Sequence, residues 1–365
     1  MSKRIVAMAS HERPWSNVEL IKDCGLIPYL LYREHDCESV MVGAKGGDYP
    51  YLNTYVKGLR MDSLPDGKTE TKVKYISENA MNIDALVLRG VFSYNFPVAE
   101  AYKRNNPEGR IYLGLVANSI WMDKLDCEDD AFVNFMNSCD VIATSSEKMS
   151  DHLNRKWPWV IEHIPNGYYD FDKCDYEYDY ACKENTILTV SRLGTSQKRT
   201  DILLQAFAMI ADAIPDWNLK LIGNVEESFK PYIESFYEYC PQLRTRVIFE
   251  GELTDRKALM DEYRRAKIFA LSSDVEGGTP NVISEAQHRG LVVATTKIDA
   301  YEEAIGYGRC GMASNTGEAN EFAQILYDLA TSPVLESLSR NAVAFANEHF
   351  DMRKYVDMIY ELLFG

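Results

Sequence analysis

Two stretches in the second half of the chain hold the residue types best suited to chemistry. The first reads Thr189-Val190-Ser191-Arg192-Leu193-Gly194-Thr195-Ser196-Gln197-Lys198-Arg199-Thr200-Asp201. An apolar run leads into it and an amphipathic pattern opens at its end, which sets Arg192 and Lys198 on a strand-to-helix loop. A guanidinium and an ammonium held there can grip a diphosphate, Arg through paired donors and Lys as a point charge. Taken alone, the segment also reads as a solvated basic loop. The second stretch runs from Leu271 to Ala286 and contains Glu276-Gly277-Gly278-Thr279-Pro280-Asn281. Gly277 and Gly278 let backbone approach a ligand closely, and Thr279-Pro280 reads as an N-cap followed by the first helical residue. From Asn281 onward, a helix start offers free amides and a positive dipole end to an anion. Glu285, just over a turn along, can aim a carboxylate at ribose hydroxyls, and Glu276 can accept from sugar hydroxyls. Alone, Glu285 reads equally as a structural acid.

These loops need strands beneath them and helices behind them. Short aliphatic and β-branched runs alternate with helical patterns throughout, the mark of parallel sheets covered by helices. In the first half, strands are expected at 4–9, 27–32, 85–89, 110–116, 140–145 and 160–164, with helices around 97–105 and 146–157. Residues 40–74 are less regular, carry Gly46-Gly47 and several tyrosines, and read as a β-rich or loop insertion. Between 168 and 184 the pattern breaks into aromatic and acidic residues, the expected connection between domains. The order then restarts with strands at 187–191, 219–222, 247–250, 268–272 and 292–295. Helices at 199–213, 229–240, 256–265, 280–289 and 319–330 lie between and after them. The 365 residues suit two doubly wound domains. In such sheets, ligands bind beyond the carboxyl ends of the strands, and with two domains a cleft between them is the expected place.

Composition removes other classes. There are 39 Lys plus Arg against 55 Asp plus Glu, a net charge of −16, which opposes phosphate backbones and argues against nucleic acid as a partner. Acidity concentrates late: 20 basic and 25 acidic residues lie up to Lys173, 19 and 30 after it. Weak peripheral membrane contact is therefore left open for the first half alone. No apolar run is long enough to span a bilayer, and Ile5-Val6-Ala7-Met8-Ala9 is too short for a signal-peptide core, so a cytoplasmic chain is expected. Eight scattered cysteines with no Cys-x-x-Cys pair suggest reduced thiols and no zinc site. Glu128-Asp129-Asp130 reads as first-turn acids of a helix rather than a metal cluster.

Taken together, the residues around both loops resemble the carboxyl-terminal domain of GT-B glycosyltransferases, specifically the retaining family 4 (glycosyl transferases group 1). The resemblance runs from about residue 187 to 330. It implies that Arg192 and Lys198 hold the donor diphosphate, and that Glu276 and Glu285 are the two family glutamates. Gly277, Gly278, Thr279, Pro280 and Asn281 then form the donor loop, and residues around Gly251 cradle the base. Eight residues separate Glu276 from Glu285 here, where the family has seven. The first half is less similar. Its loop after the first strand, Ser10-His11-Glu12-Arg13-Pro14-Trp15-Ser16-Asn17, lacks the glycines of many members. At the place of a histidine near the reacting sugar stand Asn118, Trp121 and Asp123. Among these, Asn118 joins Arg192, Lys198 and Glu276 as a catalytic candidate. His11, Arg13, Trp15, Trp121 and Asp123 are candidates for the acceptor side.

The expectation is therefore an α/β protein of GT-B type, with two Rossmann-like domains facing each other across a cleft. The domains run over 1–173 and 174–349, and helix 350–365 returns to the first. The implied activity is retaining, metal-independent transfer from a UDP, GDP or ADP sugar to a hydroxyl of a glycan, lipid or small molecule. No cofactor beyond that co-substrate is implied. A nucleotide-sugar epimerase and a non-catalytic sugar-nucleotide-binding module are the alternatives.

Overall fold

The computed structural model describes residues 2–116, 118–171 and 178–365. Along the chain run β1 (Arg4–Met8), α1 (Asp23–His35), β2 (Glu38–Ala44), β3 (Arg60–Leu64), α2 (Thr69–Asn79), β4 (Ala85–Arg89) and α3 (Phe96–Asn105). Next come β5 (Arg110–Leu115), α4 (Ser119–Met122), α5 (Asp130–Ser138), β6 (Val141–Thr144), α6 (Glu147–Lys156) and β7 (Ile161–His163). The second series holds β8 (Glu184–Val190), α7 (Thr200–Ile210), β9 (Asn218–Ile222), α8 (Lys230–Tyr239), β10 (Val247–Gly251), α9 (Arg256–Arg265) and β11 (Ala266–Leu271). It continues through α10 (Asn281–His288), β12 (Val292–Thr296), α11 (Tyr301–Ala304), β13 (Gly311–Ser314), α12 (Ala319–Ala330) and α13 (Leu335–His349), and α14 (Met352–Phe364) ends the chain.

The chain divides into two compact units, Met1–Cys174 with Asp351–Gly365, and Asp175–Phe350. The boundary expected at 173/174 and the middle of the aromatic, acidic connection, residues 172–177, lie outside the described residues. Each unit has one all-parallel sheet among the described residues, ordered β3-β2-β1-β4-β5-β6-β7 in the first and β10-β9-β8-β11-β12-β13 in the second. Both faces of both sheets are covered, which explains why the strands read as continuous apolar runs. Along β1, Ile5 and Ala7 enter one core while Val6 and Met8 enter the other. Along β11, Ile268 and Ala270 pack on one side, Phe269 and Leu271 on the opposite side.

Three expectations change. Residues 27–32, read as a strand, lie inside helix α1, where Leu26, Ile27, Tyr29, Leu30 and Leu31 are all buried. A helix buried on most of its circumference loses its amphipathic period and mimics a strand. The irregular 40–74 region contains β2, β3 and the start of α2. Strand β13 and helix α13 complete the second unit where no element was expected. The acids at 128–130 serve α5: Asp129 is its N-cap, accepting from Phe132 N–H at 2.8 Å.

In the first unit, Arg89 at the end of β4 forms a close ion pair with Asp23 at the start of α1, with side chains 17% and 11% exposed. The neighbouring Cys24 thiol is pushed up to about 12, chiefly by burial, which disfavours its thiolate. Removing one partner of such a pair strands the other charge in the interior. Asp23→Ala should therefore cost about 3 kcal/mol in urea denaturation, whereas Asp357→Ala, on the exposed face of α14, should cost well under about 1 kcal/mol.

Candidate functional site

The two sheets share a topology. In the second, the chain runs outward from β8 through β9 to β10, then returns to the other side of β8 for β11, β12 and β13. Connections on opposite sides of the sheet diverge there, leaving a crevice beyond the carboxyl ends of β8 and β11. The loops after these strands are those carrying the candidate donor residues.

After β8, Leu193 is tied to Val225 by an isolated bridge, and Gly194 turns at φ +86° with its N–H donating to Thr200 Oγ1 at 2.9 Å. A Cβ on Gly194 would meet Phe229 at 2.3 Å, so this turn admits only glycine. Arg199 caps α7 in the left-handed region at φ 45°, pinned by carboxylates of Asp201 and Asp274. From β11, Ser272 Oγ donates to the carbonyls of Lys198 and Arg199 at 3.0 and 2.9 Å, and Asp274 N–H donates to Gln197 at 2.9 Å. The two loops are thus sewn together by one backbone bond and the Ser272 hydroxyl.

This stitching sets the charged groups side by side. Lys198 Nζ makes a close ion pair with Glu276, with side chains only 13% and 10% exposed. Gln197 Nε2 donates to the other Glu276 oxygen at 3.1 Å and to the Val275 carbonyl at 2.9 Å. Its Oε1 accepts from Arg192 Nη2 at 2.8 Å. Arg192, Gln197, Lys198 and Glu276 form one connected constellation, of which sequence reasoning named all but Gln197. The missing signal was available only as adjacency to Lys198.

Beyond Glu276, Gly278 sits at φ +136° and Thr279 is fully buried. Helix α10 starts one residue later than expected: Pro280 is the N-cap, with ψ 137°, and Asn281 is the first helical residue. Proline has no side chain to cap with, so the first amides of α10 receive no side-chain cap from it. Glu285 is 5% exposed and lies 3.6 Å from Arg256 Nη1 and 3.4 Å from Tyr263 OH, both on α9. Gly251 ends β10 at φ +79° with open space where a Cβ would stand, and its carbonyl accepts from Gly223 N–H at 2.8 Å. Gly223 in turn lies so close to β8 that a Cβ would meet the Ser191 carbonyl oxygen at 1.9 Å.

In the first unit, the candidates fall into two groups. Glu19 gathers the loop after β1: Arg13 donates to it bidentately at 2.7 and 2.9 Å, His11 Nε2 lies at 3.4 Å, and Ser16 N–H donates at 2.6 Å. Trp15, an acceptor-side candidate, lies in the core; it is 3% exposed and donates to the Val42 carbonyl at 3.1 Å. Asn118 caps α4, accepting from Trp121 N–H at 2.9 Å, while Asp123 is paired with His152 at 2.7 Å and Lys156 at 2.6 Å on α6. Trp121 packs its ring 5.9 Å from Phe92 in the loop after β4.

Anabaena HepE, crystallised with UDP, matches with a TM-score of 0.75 at 18% identity over 99% of each chain. Sucrose-phosphate synthase from Thermosynechococcus elongatus matches at 0.72 with 16% identity, again over 99% of each chain. A glycosyltransferase from Rickettsia africae matches at 0.72 with 15% identity, over 100% of this chain and 99% of that one. The fold is GT-B. Residues 184–332, in the second unit, match the family model of the glycosyl transferases group 1. An uncharacterized glycosyltransferase of Haemophilus influenzae is 26% identical over 179 residues, a match spanning about half of either chain.

Two measurements probe these groups, one in each unit. Gln197→Ala should leave stability within about 1 kcal/mol, since the loops keep their backbone bonds, yet weaken nucleotide-diphosphate binding about tenfold by calorimetry. The Glu19 carboxyl is held well below the usual carboxylate range: burial opposes its charge, but hydrogen bonds from His11, Arg13 and Ser16 outweigh burial. Its stabilisation is present above the unfolded carboxylate pKa and is lost as pH falls below it. Glu19→Gln should thus be less stable than the wild type near about pH 7, with the difference shrinking toward about pH 3 in denaturant titrations.

Proposed function

We propose that the chain transfers a sugar from a nucleoside-diphosphate sugar to a hydroxyl acceptor, retaining the anomeric configuration without a metal ion. The observation that carries this reading is the Arg192–Gln197–Glu276–Lys198 constellation at the β8/β11 switch point. HepE of Anabaena was crystallised with UDP and with UDP-glucose, which makes a UDP sugar the first donor to test.

In this reading, the bond between the anomeric carbon and the diphosphate oxygen breaks as negative charge grows on the leaving phosphate. Arg192 and Lys198 stabilise that charge, and the first amides of α10 add donors. The acceptor oxygen bonds to the anomeric carbon on the same face, and its proton passes to the departing phosphate oxygen. No covalent enzyme intermediate is required. Glu276 holds Lys198 and competes with the diphosphate for it, while its second oxygen, shared with Gln197, is placed for a sugar hydroxyl. The described cysteines are all free thiols, which suits a reaction in the reducing cytoplasm.

The test is UDP release from UDP-glucose and product formation with a panel of hydroxyl acceptors. Arg192→Ala and Lys198→Ala should each lower kcat/KM by about 10²–10³. Unchanged rates in both would remove the proposal. Glu276→Gln should bind UDP about tenfold more tightly, because it frees Lys198 and removes a like charge, while turning over more slowly. A weaker UDP affinity in this variant would contradict the competition.

A further inference from the structure

The first sheet has its own switch point, between β1 and β4. The loop after β1 carries His11 and Glu12, and the loop after β4 carries Phe92 and Tyr94. Between them ends the side chain of Lys72, from α2. Lys72 is 3% exposed, and among the described residues its ammonium makes one hydrogen bond, to the His11 carbonyl at 3.1 Å. It forms no ion pair among the described residues; Glu12, the acid that acts on it, is exposed and beyond pairing distance. The Tyr94 ring centroid lies 5.8 Å from Nζ.

An ammonium has three donors, and two are left over here. Burying a cation without a carboxylate is expensive, and an aromatic face compensates it in part. Burial accordingly draws the Lys72 pKa downward. The arrangement is built firmly: a Cβ on Gly67 would meet the Glu12 carbonyl oxygen at 2.2 Å, so the loop after β1 presses onto the approach to α2. Beside the ammonium runs an aromatic row. Phe92 stacks on Tyr94 at 5.2 Å, Trp121 follows at 5.9 Å, and the adjoining Ile120 is 66% exposed. Apolar walls with one converging charge are the usual make-up of a small-molecule site.

We propose that this crevice binds a sugar bearing an anionic substituent, phosphate or carboxylate, with Lys72 receiving the anion and the Tyr94–Phe92 rings flanking the sugar. That this ligand is the acceptor rests on the glycosyltransferase reading; its binding does not.

The experiment is calorimetric titration of the full chain with glucose 6-phosphate, glucuronate, glucose and inorganic phosphate. At least one charged sugar should bind about tenfold or more tightly than glucose, and the phosphate and carboxylate arms tell which anion fits. Lys72→Met should reduce it to the level of glucose, and Lys72→Arg should retain it, while Lys198→Ala leaves it unchanged. Absence of binding by either charged sugar, equal binding of glucose, or loss with Lys198→Ala but not with Lys72→Met would each overturn the proposal. Should Lys72→Met not fold, Tyr94→Leu carries the test: it should weaken the charged sugar about threefold or more, and unchanged affinity overturns the site. UDP-glucose is titrated separately. Its failure to bind the wild type would remove the glycosyltransferase reading and leave the anion site standing.

Discussion

The second unit is organised around one constraint: the loops after β8 and β11 must meet although a whole half-sheet separates them in sequence. They meet because β8 and β11 are paired neighbours, Ile268 opposite Ile187 and Phe269 opposite Leu188. The Lys198–Glu276 pair can form only across that junction. Its surroundings are therefore rigid, with Arg199 in a left-handed conformation, Ser272 bonded to two carbonyls, and Gly194 packed on Phe229. Strain at Arg199 is offset by its two carboxylate partners, a pattern found where local geometry matters more than local stability.

The same winding in the first sheet supports different chemistry. Where the second switch point assembles opposite charges into a connected set, the first surrounds one ammonium with carbonyl and aromatic groups. In the β1 loop, Arg13 and His11 are both held by Glu19. Two sites with the same topology thus differ in whether their cations arrive already partnered.

Much of this was legible from the residues. The strand–loop–helix order of the second unit, the glycines of its loops and the charged pair stand in sequence at spacings set by local rules. What escaped was whatever depends on distant packing. Helix α1 looked like a strand because burial on nearly all sides erased its period. Gln197 looked like any loop polar residue, because its partner Glu276 lies far along the chain. Lys72 sits in Lys72-Val73-Lys74, where nothing separates a buried ammonium from a solvated one. Trp15 stood in a polar loop but is roofed by it, donating inward to β2. Asp123 lay where a reacting group was sought, and the His152 and Lys156 side chains that occupy it come from α6.

The last helix belongs to the first unit. Val356, Ile359 and Leu363 of α14 are buried in the core with α1, and His35 stacks on Tyr360 at 4.1 Å. In topological terms, the second unit is an insertion, with its ends anchored in a body that it interrupts. On the ribosome, the first unit emerges first but is completed last, after some 175 intervening residues have been made. Until then the apolar face of α1 lacks its cover, while the inserted unit already has all of its strands and can close its own core. The order of synthesis and the order of completion are therefore reversed, so the second unit is finished before the unit whose chain preceded it.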